Sequence, residues 1–259
     1  MSLVLLPVLA ATCLLSPLEV DLEVGRRALP WMPPDLARQV AKRPNDFARG
    51  VRAARTWPAS FHQAGGKNGV EAGITAQCER LAAALRSQAP FPDVVAGLGA
   101  LAHLTTDLDA PYLDGAAGNP YARAFSSYLR SASPRIPLVF YGQDLETTKG
   151  PAAGLAGMLR FRRNDSRSLA PLISADLDRL GGPASWQGLD DRSSSFGAAS
   201  LTLSHAATDF ANLASWVWHH GGGLVPPIAA PPETLLVWTG EPKPREKTSP
   251  RLGFRQVWR

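Results

Sequence analysis

Two runs of small apolar residues in this 259-residue chain each hold a histidine followed four residues later by an aspartate: His103 with Asp107, and His205 with Asp209. His103 follows Leu98-Gly99-Ala100-Leu101-Ala102, and Asp209 leads into Phe210-Ala211-Asn212-Leu213. Such runs have little freedom of fold. A helix places residues four apart on one face, about 5–6 Å apart at Cβ, and a face this apolar belongs in a protein interior. A carboxylate there is costly to desolvate unless something positive meets it. An imidazole and a carboxylate on one face can close on a metal ion, and two such helices facing each other can build a carboxylate-bridged cluster. For either pair taken alone, the plainer reading is a surface or half-buried hydrogen bond.

Composition sets the frame for this choice. At 45% hydrophobic and 19% charged residues the chain is globular, and its length buries a core without metal or disulfide staples. A metal would then serve function rather than folding. Cys13 and Cys78 make neither a disulfide framework nor a CxxC site, so zinc would be held by histidine and aspartate. The net charge of +5 gathers near the C-terminus, where Lys243, Arg245, Lys247, Arg251, Arg255 and Arg259 form a Pro-containing tail. This tail reads either as a contact for anionic lipid or nucleic acid or as a solubilising extension. Residues 3–15 are apolar and uncharged, too short for an ordinary membrane span and suited to a signal-peptide core, though without preceding basic residues or a clean cleavage site. The expected organisation is a leader or anchor-like segment over 1–20, a helical domain over 21–240 and the basic tail over 241–259, in an exported or membrane-attached protein.

The pattern between these ends is helical. Pro33-Pro34 opens a helix through Leu36 and Val40, and another runs from Asp46 to Arg55. Residues 71–88 carry an apolar stripe of Ile74, Cys78, Leu81 and Leu85, which makes Cys78 a core thiol. Pro92-Asp93 opens the helix that bears His103, where Gly97 and Gly99 cost propensity but permit close packing. Asn119-Pro120 starts the next, and helices follow over 151–163 and 168–180, then a loop over 181–192. Ser193 or Ser194 caps a long helix to His220, closed by three glycines. Residues 138–141 and 235–238 are the plausible short strands. His219-His220 reads as a dipole-facing helix end, Trp216 as core, and Arg160, Arg162 and Arg163 as a helix-end cluster that is solvated or meets phosphate.

The segment His103-Leu-Thr-Thr-Asp107, with its Gly/Leu-rich approach and Pro111 four positions on, resembles the metal-binding helix of the zinc-dependent phospholipase C and S1/P1 nuclease superfamily. His205-Ala-Ala-Thr-Asp209 resembles its second ligand helix, and residues 28–36, containing Leu29-Pro30 and Pro33-Pro34-Asp35-Leu36, resemble its first helix. The resemblance implies an all-α, compact multi-helix bundle of the phospholipase C/P1 nuclease type. It places metal ligands at His62, His103, Asp107, His205 and Asp209. Asp46 stands for the acid that precedes the His62-like ligand, and Asp114 for a histidine that the family has shortly after the Asp107-like residue. Trp31 lacks the histidine that follows the family's N-terminal tryptophan, so the ligand set is incomplete and one to three zinc ions are compatible with it.

The resemblance implies a zinc-dependent phosphoric-ester hydrolase, phospholipase C-like, in which metal-generated hydroxide attacks a phosphodiester, with Asp107 and Asp46 as catalytic carboxylates. A phospholipid is the favoured substrate. An S1/P1-like nuclease uses the same metals, and a non-catalytic exported homologue that has lost the cluster is the reading from another class.

Overall fold

A computed structural model describes residues 16–65, 69–116 and 118–225. The leader segment with Cys13, the apolar run at 235–238 and the basic tail lie outside the described residues. Among the described residues the fold is all-α, as expected, and contains no strand: α1 (Leu18–Ala28), α2 (Pro34–Ala41), α3 (Pro44–Ala54), α4 (Val70–Arg86), α5 (Phe91–Leu108), α6 (Pro120–Ala132), α7 (Leu145–Lys149), α8 (Ala152–Arg167), α9 (Ala170–Arg179) and α10 (Ser194–His220). No helix here is long and apolar enough to cross a membrane.

The helix boundaries follow local chemistry. Proline occupies the first turn of α2, α3, α5, α6 and α9, where its missing N–H leaves no intrahelical bond unmade. Asn119 caps α6 by accepting from the Tyr121 and Ala122 amides, and the Ser193 hydroxyl caps α10 by accepting from the Phe196 amide.

The two helices with the His–Asp pairs form the centre. Every residue of α5 from Leu98 to Leu108 is buried, and α10 is buried almost continuously from Thr202 to Val217. Helices apolar all round lie inside a bundle, and α1, α3, α4 and α8 surround α5. Core hydroxyls do not break this pattern: Thr105 and Thr106 each donate to the carbonyl four residues back.

The α3–α5 crossing depends on missing side chains. A Cβ at Gly50 would sit 1.7 Å from the Ala96 carbonyl oxygen, and one at Gly99 would sit 2.1 Å from the Phe47 carbonyl oxygen. The two backbones thus touch directly. The Phe47 ring takes the space that a side chain at Gly25 of α1 would fill and lies edge-on to Phe210 of α10 at 6.0 Å. One aromatic ring thereby joins α1, α3 and α10.

Two expectations need correction. Residues 138–141 are extended but pair with a helix instead of a strand. The Val139 amide donates to Ser204 Oγ at 3.0 Å, the Tyr141 amide to Thr208 Oγ1 at 3.2 Å and the Asp144 amide to Asn212 Oδ1 at 3.1 Å. These acceptors recur every fourth residue along α10, about 6 Å apart, and the amides they meet are two and then three residues apart. A ladder of α10 side chains therefore satisfies the amides that a neighbouring strand would otherwise bind. Residues 28–36 are likewise not one helix: a 3₁₀ turn at Leu29–Trp31 and the Pro33-Pro34 pair split them, and α1 (Leu18–Ala28) precedes them.

Candidate metal centre

His103 and Asp107 lie one turn apart on α5, both fully buried. The 3₁₀ turn Ala59–His62 brings in His62, also buried, whose Nδ1 lies 2.7 Å from Asp107 Oδ2. His103 Nε2 stands 3.4 Å from the same carboxylate oxygen, and the two imidazole rings are 5.1 Å apart. One ligand atom from each of these three residues falls within 4.8 Å of the others, and among the described residues no other group does so.

Three residues that the sequence reading did not single out complete the cluster. Asp21 reaches in from α1, fully buried, and receives His103 Nδ1 at 2.9 Å. Arg55, at the C-terminal cap of α3, donates to the same Asp21 oxygen, Oδ2, at 2.9 Å and to the Ser16 carbonyl at 2.8 Å. The Ser16 hydroxyl bonds Asp21 and lies 3.4 Å from Asp107 Oδ1. A signal for Asp21 exists in the sequence: with Val24, Gly25 and Ala28 it forms an i, i+3, i+4, i+7 stripe that is entirely buried.

The electrostatics favour a cation. Desolvation raises the Asp21 carboxyl, against the His103 hydrogen bond that lowers it. Desolvation lowers His103, but Asp107 and Asp21 outweigh it and leave its pKa raised. An ionised Asp21 only accepts, so it holds the His103 proton on Nδ1 and leaves a lone pair on Nε2, the arrangement by which outer carboxylates orient metal-binding histidines. Both His103 Nε2 and His62 Nε2 are buried without a hydrogen-bond partner. The two unsatisfied imidazole nitrogens and the Asp107 carboxylate make a donor set that suits a divalent ion such as zinc.

The other expected ligands lie elsewhere. Asp46 sits in the first turn of α3 and pairs with Arg49 at 3.0 Å. Asp114, in the loop after α5, is held by Arg163 through both carboxylate oxygens at 2.7 and 2.9 Å. Asp209 takes Arg162 Nε at 2.6 Å and Nη2 at 3.1 Å. His205 packs on the Tyr141 ring at 4.9 Å and places Nδ1 3.6 Å from Asp165. Burial, followed by the Arg162 charge, lowers the His205 pKa to about 4, so this imidazole is neutral. Buried Asp109 joins this second cluster through Ser166 at 3.3 Å. A cavity of about 220 Å³ opens beside it, lined by Tyr141, Asp144, Arg162, Thr208, Asp209 and Asn212. Arg162 is thus the counter-ion of buried Asp209, and Arg163 pairs with Asp114 and half-buried Glu71; neither arginine is part of a solvated helix end.

The remaining candidates are structural. Cys78 is a buried core thiol whose pKa burial pushes up. His220 bonds the Gly150 carbonyl at 2.9 Å and stacks on Trp216.

No family model and no curated protein sequence matches the chain. Its fold matches solved structures of clostridial alpha-toxins. Alpha-toxin from Clostridium absonum superposes with a TM-score of 0.60 at 14% identity, covering 76% of this chain and 62% of that one. Clostridium perfringens alpha-toxin from an avian strain gives 0.57 at 10% identity, covering 79% and 64%. The chain therefore spans less than two thirds of the length of either toxin, and the likeness is one of fold.

Proposed function

We propose that this chain is a zinc-dependent phosphoric-ester hydrolase of phospholipase C type, with His62, His103 and Asp107 holding the metal. The convergence of these three buried side chains carries the reading, and the His103 motif and the alpha-toxin-like fold support it. Bound there, zinc supplies a Lewis-acid charge for the phosphoryl oxygens and lowers the pKa of water. The chain's own residues prepare the place. Asp21 fixes the His103 tautomer, Arg55 holds Asp21, and α5 and α10 exclude bulk water from behind. An open apolar groove of about 390 Å³, lined by Trp57, Pro58, Phe61, Ala76 and Arg80, begins at the residue preceding His62. It favours a phospholipid over a nucleic acid, because the Trp57 and Phe61 rings pack edge-on against each other at 5.7 Å instead of standing free to stack on bases. Likeness to toxins, proteins made for export, supports an exported location and contact with a membrane surface.

A non-catalytic homologue is the second reading, favoured by the arginine on Asp209. One experiment separates the readings: the purified chain, loaded with zinc, is assayed on phosphatidylcholine vesicles and on single-stranded DNA. Vesicle hydrolysis that a chelator removes is the expected result, and a zinc-loaded chain inert on both would favour the non-catalytic protein. The activity should fall steeply from pH 7.5 to pH 6. Proton and metal compete for His103, and its raised pKa starts that competition above the ordinary imidazole value of about 6.5.

A further inference from the structure

Asp209 and Asp114 are the acids that a second metal ion would need, and both are already engaged. Consecutive residues of α8 hold them: Arg162 binds both oxygens of Asp209, and Arg163 binds both oxygens of Asp114. Asp209 is almost fully buried, and the Arg162 side chain is only 17% exposed. Arg162 also lies 3.6 Å from Asp165 on the following turn, the same acid that faces His205. A divalent ion entering between His205 and Asp209 would meet a guanidinium that cannot lose its charge. In the first cluster, by contrast, Arg55 binds Asp21 on the oxygen that His103 Nδ1 also meets, and both imidazole Nε2 atoms are left without a hydrogen-bond partner.

We infer that Arg162 is the fixed counter-charge of the second cluster, so that Asp209 holds no metal ion and the chain binds a single ion, at His62, His103 and Asp107. The count of one rests on the metal reading proposed above; the role of Arg162 does not. The resemblance that led to His205 and Asp209 thus reaches a site whose cation is built into the chain. A buried ion pair of this kind is costly to break from one side, whereas replacement of both partners by apolar groups is often tolerated.

The test uses zinc itself, the full chain, and two variants. Zinc equivalents are measured after dialysis, and melting temperature is measured with zinc and with EDTA. Wild type is expected to retain one equivalent, and Asp209→Asn is expected to retain the same while melting lower by an equal amount in both conditions. The double variant Arg162→Met/Asp209→Leu is expected to recover most of that loss and still hold one equivalent; it decides the matter if Asp209→Asn does not fold. Two equivalents in wild type with one lost on either substitution would overturn the inference, as would a melting cost present only with zinc. A wild type without zinc would overturn the metal reading and the count. The role of Arg162 would then stand if Asp209→Asn melts lower and Arg162→Met/Asp209→Leu recovers most of that loss, and fall if the double variant recovers nothing.

Discussion

Asp107→Asn is expected to abolish phosphodiesterase activity and to weaken zinc binding by at least about a hundredfold, the upper end of what loss of an outer-layer partner costs. Asp107 is the one carboxylate that both imidazoles face, His62 at 2.7 Å and His103 at 3.4 Å. Asparagine keeps its size and one carbonyl acceptor but removes the charge, so the helix is expected to persist while the ion leaves. Competitive titration against a chromogenic chelator measures the affinity, and circular dichroism checks the fold. Equal zinc affinity in wild type and variant would remove Asp107 from the site.

The largest effect on stability is expected at Gly50, which touches no ligand. A methyl group there would stand 1.7 Å from the Ala96 carbonyl oxygen, in contact with backbone that cannot rotate aside. Separation of α3 from α5 would also loosen Phe47 and shift Arg55, one residue beyond the end of α3, from Asp21. Gly50→Ala is therefore expected to cost about 3 kcal/mol or more, at the upper end of overpacking penalties. In a chain of this size that corresponds to a fall of roughly 6–12 °C in melting temperature. Zinc affinity should fall with it, because the Asp21–Arg55 support moves. A variant that melts like wild type would mean that the two helices have room to part.

The helices were legible because their signals are local. Proline in first turns, Asn119 and Ser193 as caps, and the apolar periods of α4 and α10 each act within a few residues. The Gly99 contact was legible in kind, as close packing, but not its partner, because the sequence does not say which helix crosses it. The His103–Asp107 pair was legible because four-residue spacing survives any tertiary arrangement. Of its neighbours, His62, 45 positions from Asp107, is reached only through the family resemblance, and Asp21, 82 positions from His103, is not reached at all. Asp21 is hidden further by its place just after an apolar leader-like run, near the start of α1 at Leu18. Asp209 is the converse case. In the sequence its place in an apolar helix calls for positive charge, which a metal ion or a side chain can supply. The demand is real, but Arg162 meets it from 47 positions away. Nothing in the local pattern distinguishes a guanidinium from an ion as the source of that charge.

Anomalous diffraction at the zinc edge from crystals of the zinc-loaded chain tests the central claim most directly. The account predicts one strong peak between His62, His103 and Asp107, about 2.0–2.2 Å from a nitrogen of each imidazole and an Asp107 oxygen. It predicts no peak within bonding distance of Asp209. Zinc found only at surface histidines such as His219, with His62 and His103 still bonded to the aspartates alone, would contradict it.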